Sequence, residues 1–314
     1  MKLHLDQRFF EATLRATAQH TGINLVFVEK DYWITLVLNQ LAKSGYAAQC
    51  VFKGGTSLSK GYGLINRFSE DVDIAVINEN LKTNSEIKTL LRAVEKEVTN
   101  GLLEKDVSGV SSKGSRFRKS VFEYNGVDHR NTANTLIVEV NSFANPFPYH
   151  RKYINSLVYE FLKQTDNETY IDTYQLQPFE VNILSKEQTM LEKLVALVRC
   201  SYDENPVQSI ASKIRHFYDL YYLVSDAECK AYIQSEEFTK KFNEILLHDK
   251  EVFDNPVGWK EKSIADSPLL SDFEILWKRL KNIYSKELTA LAYSEVPDEQ
   301  KVASNFKYLI SLLP

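Results

Sequence analysis

Asp71 and Asp73 stand two positions apart where the apolar run 72–77 begins. Alternation along a strand puts both carboxylates on one side. Carboxylates that close repel one another unless a cation sits between them. Hard oxygen ligands of this kind suit Mg²⁺, which completes its shell with water and phosphate oxygens. A strand end emerging into solvent would carry the same acids without a metal. Sixteen residues before Asp71 lies the second half of a Gly54-Gly55 pair, in the stretch Lys53-Gly54-Gly55-Thr56-Ser57. Glycines let the backbone turn sharply and let a ligand approach it closely, and amides at a helix start bind phosphate. Neither G-x-x-x-x-G-K-[ST] nor G-x-G-x-x-G fits, so an ordinary strand-to-helix turn is the competing reading. A third acid, Glu139, stands inside the apolar stretch 136–140. A lone buried Glu is costly unless paired or metal-bound. If its strand lay beside the Asp71–Asp73 strand, three carboxylates would hold two Mg²⁺ ions suited to an in-line displacement.

Several elements must position these groups. Residues 7–20 and 29–43 read as helices, separated by Gly22 and Asn24 and ended by Gly45. Short Val-, Ile- and Phe-rich runs at 48–52, 72–77, 120–124 and 136–140 read as strands, with a helix-compatible stretch at 57–65. That beginning predicts a mixed α/β sheet. Beyond about residue 181 the pattern turns helical. Ser185 and Gln188 form an S-x-x-Q capping signature, a second amphipathic run spans 213–224, and further helices are expected at 237–247, 271–288 and 298–312.

Composition bounds the function. The 314 residues carry 38 Lys and Arg against 42 Asp and Glu, a net charge of −4, which argues against a chain dedicated to coating duplex nucleic acid. With 17 Phe and 17 Tyr, disorder is disfavoured. Cys50, Cys200 and Cys229 form no C-x-x-C pair, so a zinc ribbon or disulfide framework is not expected and a reducing compartment is. No leader-like or membrane-spanning run is visible, and a soluble cytoplasmic protein is the expectation. Trp33, Trp259 and Trp277 read as packing anchors.

The glycine turn, the D-x-D strand and the third acid together resemble the DNA polymerase β superfamily of nucleotidyltransferases, and more closely the AbiEii/AbiGii-type toxin nucleotidyltransferases. The matching segments are Val28-Glu29-Lys30-Asp31-Tyr32-Trp33, Phe52-Lys53-Gly54-Gly55-Thr56-Ser57-Leu58-Ser59-Lys60 and Arg67-Phe68-Ser69-Glu70-Asp71-Val72-Asp73. Two weaker ones follow, Leu191-Glu192-Lys193-Leu194-Val195-Ala196-Leu197 and Arg215-His216-Phe217-Tyr218-Asp219-Leu220-Tyr221. The resemblance implies an α+β fold, a polymerase β-like mixed sheet with N-terminal helices and a C-terminal helical domain. The expected divisions are 1–45, 46–180 and 181–314.

The resemblance also implies Mg²⁺-dependent transfer of a nucleotide from an NTP to an acceptor, the 3′ end of tRNA, by a toxin paired with an antitoxin in phage defence. Asp71, Asp73 and Glu139 become the metal ligands and catalytic acids, with Lys193 and Asp219 completing the catalytic set. Lys53, Gly54, Gly55, Thr56, Ser57, Ser69 and Lys193 become the nucleotide-binding residues. Lys193 lies off the centre of the Met190, Leu191, Leu194, Val198 stripe, where its competing reading is a surface Lys paired with Glu187 or Glu192. Asp219 orients Lys193 or the nucleotide; its local alternative is an i,i+4 pair with Arg215. His216 reads as a structural hydrogen-bonder. Lys113, Arg116, Arg118 and Lys119 surround Phe117 in a basic segment suited to RNA phosphate and base stacking, or else form a solvated loop. Two other functions stay open: a nucleotide-binding partner protein without transfer activity, and transfer to a small molecule or protein.

Overall fold

The fold is taken from a computed structural model, which describes residues 1–69, 71–79, 81, 83–127 and 134–313. Glu70, directly before the D-x-D motif, lies outside the described residues. The chain divides into two compact units. One comprises Met1–Gly61 and Phe68–Leu184; the other comprises Tyr62–Arg67 and Ser185–Pro314. The segment leading into the aspartates therefore belongs in part to the second unit.

In the first unit, helices α1 (Gln7–Thr21) and α2 (Leu25–Lys43) open the chain. Asp6 caps α1 by accepting from the Phe9 amide, and Gly22 ends it in the left-handed region at φ 70°. Asn24 caps α2 in the same way. The helix α2 is buried almost all round, including Glu29, Lys30 and Asp31. Strand β1 (Cys50–Lys53) runs into α3 (Gly54–Tyr62), then β2 (Asp71–Val76) and α4 (Asn84–Val98). After these come β3 (Leu103–Lys105), β4 (Ser112–Lys113), β5 (Phe117–Glu123), β6 (Thr135–Asn141) and β7 (Tyr149–Ile154). Helices α5 (Leu157–Gln164) and α6 (Glu168–Tyr174) precede the last strand, β8 (Phe179–Leu184).

The sheet order is β3-β5-β6-β2-β1-β8-β7, with β4 paired to β5. Strands β2 and β6 are parallel, as are β1 and β8, while β1–β2, β5–β6 and β7–β8 are antiparallel. The fold is α+β around a mixed sheet, and the strand carrying Glu139 does lie beside the strand carrying Asp71 and Asp73.

The consecutive charges of α2 fasten this arrangement. Asp31 accepts from Lys60 Nζ at 2.6 Å and from the Leu157 amide at 2.8 Å. Lys60 also donates to the Asn155 carbonyl at 3.0 Å. Glu29 accepts the Val127 amide at 2.9 Å. The pair Asp31–Lys60 therefore ties α3, the helix that follows the glycine turn, to the buried helix α2. Removing one member of a buried pair typically costs about 3–5 kcal/mol, because the other charge is stranded.

The second unit is helical: α7 (Lys186–Ser201), α8 (Pro206–Ala211), α9 (Arg215–Ser225), α10 (Ala227–Ile233), α11 (Glu236–Val252), α12 (Pro268–Ser271), α13 (Phe273–Leu291) and α14 (Glu299–Ile310). Ser185 caps α7 by accepting from the Gln188 amide at 3.1 Å. Phe217 of α9 packs against Phe306 and Trp277, with ring centroids 4.7 and 5.1 Å away. The three tryptophans are buried. Among the described residues no helix is long and apolar enough to cross a membrane.

Candidate active site

Val72 and Ile74 of β2 are buried, while Asp71 and Asp73, which alternate with them, are half-buried on the opposite face. Register then builds a row across four strands. Lys119 of β5 pairs with Glu139 of β6, Glu139 with Asp73 of β2, and Asp73 with Lys53 of β1. Residues directly opposite on neighbouring strands present their side chains to one face. The face therefore carries Lys119, Glu139, Asp73 and Lys53 in line, with Asp71 beside Asp73.

Gly54 shapes the same face. Its φ is 79°, which only glycine adopts without strain, and a Cβ there would collide with the Asp73 carboxylate. The bare backbone at Gly54 is what lets Asp73 lie against the start of α3. Two hydroxyls assigned from sequence to the nucleotide also brace the turn. Thr56 Oγ1 donates to the Asp71 carbonyl at 2.9 Å, and Ser57 Oγ donates to the Gly54 carbonyl at 2.8 Å. Both side chains are buried. The Thr56 bond ties α3 to the first residue of β2, so the glycine turn and the aspartates are held together by main chain and hydroxyl. Ser69, half-buried, lies two residues ahead of β2. Phe68 beside it stacks on Phe27 of α2 with centroids 4.2 Å apart.

The basic segment is not the solvated loop of the alternative reading: β4 and β5 form a hairpin, so its cations alternate between faces. Arg118 turns into the unit, buried, where its Nε donates to Glu95 of α4 at 2.7 Å and Ser120 Oγ donates to the other Glu95 oxygen at 2.6 Å. Lys113 pairs with Glu104 at 2.8 Å and is exposed. Lys119 donates to Glu139 at 2.6 Å. Of the four, Arg116 is the exposed cation between the two strands. Arg118 is thus removed from any RNA-facing set by burial, and Lys119 belongs to the acidic face.

Burial alone would lower the pKa of Lys119. The Glu139 hydrogen bond and the charges of Glu139, Asp71 and Asp73 outweigh that and raise it. One ammonium thus sits in the field of all three carboxylates, as a divalent cation would. Among the described residues no three metal-binding side chains are gathered closely enough to hold an ion, and Glu139 is paired with Lys119. The donor set nevertheless fits Mg²⁺ in kind: hard oxygens on one face, next to a helix start that favours phosphate.

In the second unit, Lys193 of α7 and Asp219 of α9 come together at 2.8 Å. Asp219 is fully buried and Lys193 is 6% exposed, so Lys193 is not the surface residue its place off the apolar stripe suggests. Arg215, the local candidate partner of Asp219, pairs with Glu287. The partner sequence reasoning missed is Arg67, whose Nε and Nη2 donate to Oδ1 and Oδ2 of Asp219 at 2.7 and 2.6 Å. Burial pushes the Asp219 carboxyl up, but Arg67 and Lys193 outweigh it and hold the group far below its ordinary range. His216, one turn before Asp219, is kept neutral by burial and by the Lys193 charge. Its buried Nδ1 has no hydrogen-bond partner among the described residues, so it does not play the structural bonding part expected of it there.

A family model described as "Nucleotidyl transferase AbiEii toxin, Type IV TA system" matches residues 36–299. The structure is similar to that of MenT4, a nucleotidyltransferase toxin from Mycobacterium tuberculosis H37Rv, with a TM-score of 0.47 and 17% sequence identity; the match covers 96% of this chain and 99% of that one. No curated protein sequence matches the chain.

Proposed function

The chain belongs to the AbiEii family of nucleotidyltransferase toxins, and from that premise we propose that it moves a nucleotide from a Mg²⁺-bound NTP to the 3′ end of a tRNA in the cytoplasm. It is a nucleotidyltransferase enzyme, and as the toxin of a type IV toxin–antitoxin system it has an antitoxin partner and an NTP substrate. We further propose that the toxin serves in phage defence.

The observation that carries the proposal is the in-register row of Asp73 and Glu139, with Asp71 on the same face and Gly54 opening α3 against Asp73. Asp71, Asp73 and Glu139 would hold the metal, which when bound neutralises triphosphate charge and favours ionisation of the attacking hydroxyl. Gly54 and Gly55 bring the first-turn amides of α3 to the phosphates, since the first amides of a helix have no partner within it. Lys53, at the end of β1, adds positive charge for the triphosphate, and Lys193 is the cation that the family motif assigns to the nucleotide. In the transfer, an acceptor hydroxyl oxygen bonds to the α-phosphorus. The bond from that phosphorus to the bridging oxygen breaks, and pyrophosphate leaves with the electron pair. The hydroxyl proton passes to the carboxylate face. Phosphoryl transfer of this kind depends on positioning and charge more than on a strong base.

The exposed Arg116, next to the strand that carries Lys119, supports an RNA acceptor. The test is incubation with each α-labelled NTP and total RNA. Label on RNA of tRNA length supports the proposal. Label on protein or on a small molecule identifies a different acceptor, and NTP binding with no transfer overturns the proposal. A small winged-helix gene immediately upstream would support the toxin role.

A further inference from the structure

We propose that Arg67 is a positioning residue for the triphosphate: it grips the Asp219 carboxylate with both arms of its guanidinium and thereby sets where Lys193 stands. The inference rests on the reading that Lys193 meets the triphosphate. It concerns a residue from the approach to the D-x-D motif that the sequence reading gave no role.

Both arms make short bonds, 2.7 Å to Oδ1 and 2.6 Å to Oδ2, and Lys193 Nζ shares Oδ2 at 2.8 Å. Arg67, Lys193 and Asp219 are all buried. A carboxylate held by one flexible ammonium can rotate with it. A carboxylate held by a planar fork cannot, because two parallel bonds fix its plane. The guanidinium is itself located from the main chain. Arg67 forms an antiparallel bridge with Ala292, and the Tyr293 amide donates to the Asn66 carbonyl at 3.0 Å. Asp219 is therefore a fixed seat, and the Lys193 ammonium rests on one defined oxygen of it.

Charge sharing has a second consequence. An Asp219 carboxylate that faced Lys193 alone would hold it as a closed buried pair. Arg67 takes much of that negative charge, so Lys193 is held in place while remaining able to exchange Asp219 for a phosphate oxygen. A conservative change to Lys at position 67 keeps a charge but removes the fork. The seat is then loose, and a second flexible ammonium competes for the same oxygens.

A purely structural role for Arg67 predicts something different. Its loss would lower the melting temperature and the folded fraction, while each folded molecule bound NTP as before. The deciding experiment measures melting temperature and NTP affinity of the folded fraction for wild type, Arg67→Lys, Arg67→Gln, Lys193→Ala and the double variant Arg67→Lys/Lys193→Ala, with each of the four NTPs in turn. Arg67→Gln is included because it keeps a planar donor if Arg67→Lys does not fold. The expected result is at least a tenfold loss of NTP affinity in Arg67→Lys or Arg67→Gln, a similar loss in Lys193→Ala, and no further loss in the double variant, since Arg67 acts through Lys193. Normal affinity in folded Arg67 variants beside a weakened Lys193→Ala overturns the inference alone. A double variant weaker than Lys193→Ala by the full effect of the Arg67 change also overturns it. Normal affinity in Lys193→Ala overturns the reading of Lys193 and the inference with it.

Discussion

Lys119 and Glu139 face one another across the β5–β6 ladder and meet at 2.6 Å. Glu139 stands in the same relation to Asp73 on its other side, and Asp73 to Lys53. The acidic face is thus bounded by a lysine at each end. Lys119 shows how strongly this face favours a cation, and on the proposed reading it would compete with a metal for Glu139.

Replacing Lys119 by Met removes that competitor. The variant should reach half-maximal transfer at a lower Mg²⁺ concentration than wild type. Direct titration with Mn²⁺ should show tighter binding, so the effect is readable without turnover. Without metal the variant should melt lower, because adjacent carboxylates lose their counter-charge. Unchanged Mn²⁺ affinity would show that Lys119 does not compete for the ligands.

Gly54 combines a left-handed φ of 79° with contact to the Asp73 carboxylate. Gly54→Ala should cost about 1–3 kcal/mol from backbone strain and, by displacing Asp73, remove transfer. Gly22 at the end of α1 has a similar φ of 70° with open space around it. Gly22→Ala should therefore lose comparable stability, by urea unfolding, and keep its transfer rate. Equal loss of transfer in both would show that strain alone, and not contact with Asp73, is responsible.

The alternation along β5 separates two arginines that stand close in sequence. Arg118→Ala strands Glu95 in the interior and should cost about 3–5 kcal/mol. Arg116→Glu should leave stability unchanged, weaken RNA binding and flatten its dependence on salt, as filter binding would show. NTP affinity should hold in the Arg116 variant; its loss would move Arg116 to the nucleotide.

Asp219 supplies the pH test. Its folded pKa lies below that of the unfolded chain, about 3.9 for an ordinary aspartate. Its contribution to stability is therefore full above that value and is lost as the pH falls from there through the folded pKa. Stability of wild type should fall more steeply below pH about 4 than that of Asp219→Asn, by at most about 1.4 kcal/mol per pH unit. Parallel curves from denaturant unfolding at several pH values would show that Asp219 does not titrate in this way.

Which parts were legible in the sequence follows from how local each signal is. The β1, β2, β5 and β6 runs, helices α7, α9, α11, α13 and α14 and the Ser185 cap rest on periodicity and capping, which neighbours in sequence carry. Helix α4 has such a signal too, a Thr83–Glu86 capping box ahead of Ile87, Leu91, Val94 and Val98, yet the sequence reading places no helix there. Strand β7, Tyr149–Ile154, is mostly polar and half-exposed at the sheet edge, so no apolar run marks it. The pairing of Arg67 with Asp219 joins residues 152 positions apart. Nothing local distinguishes it from the Arg215–Asp219 spacing that the helix period offers. The split fate of Arg118 and Lys119 needed the strand register, because composition alone shows only four cations and an aromatic.

The central claim is that the carboxylate face of β2 and β6 performs nucleotide transfer. Its most direct test is wild type against Asp73→Asn, with matched melting temperatures, incubated with α-labelled NTPs, Mg²⁺ and total RNA. The account predicts label on RNA with release of an equal amount of pyrophosphate by wild type, and neither by Asp73→Asn. Transfer by Asp73→Asn at the wild-type rate would contradict it.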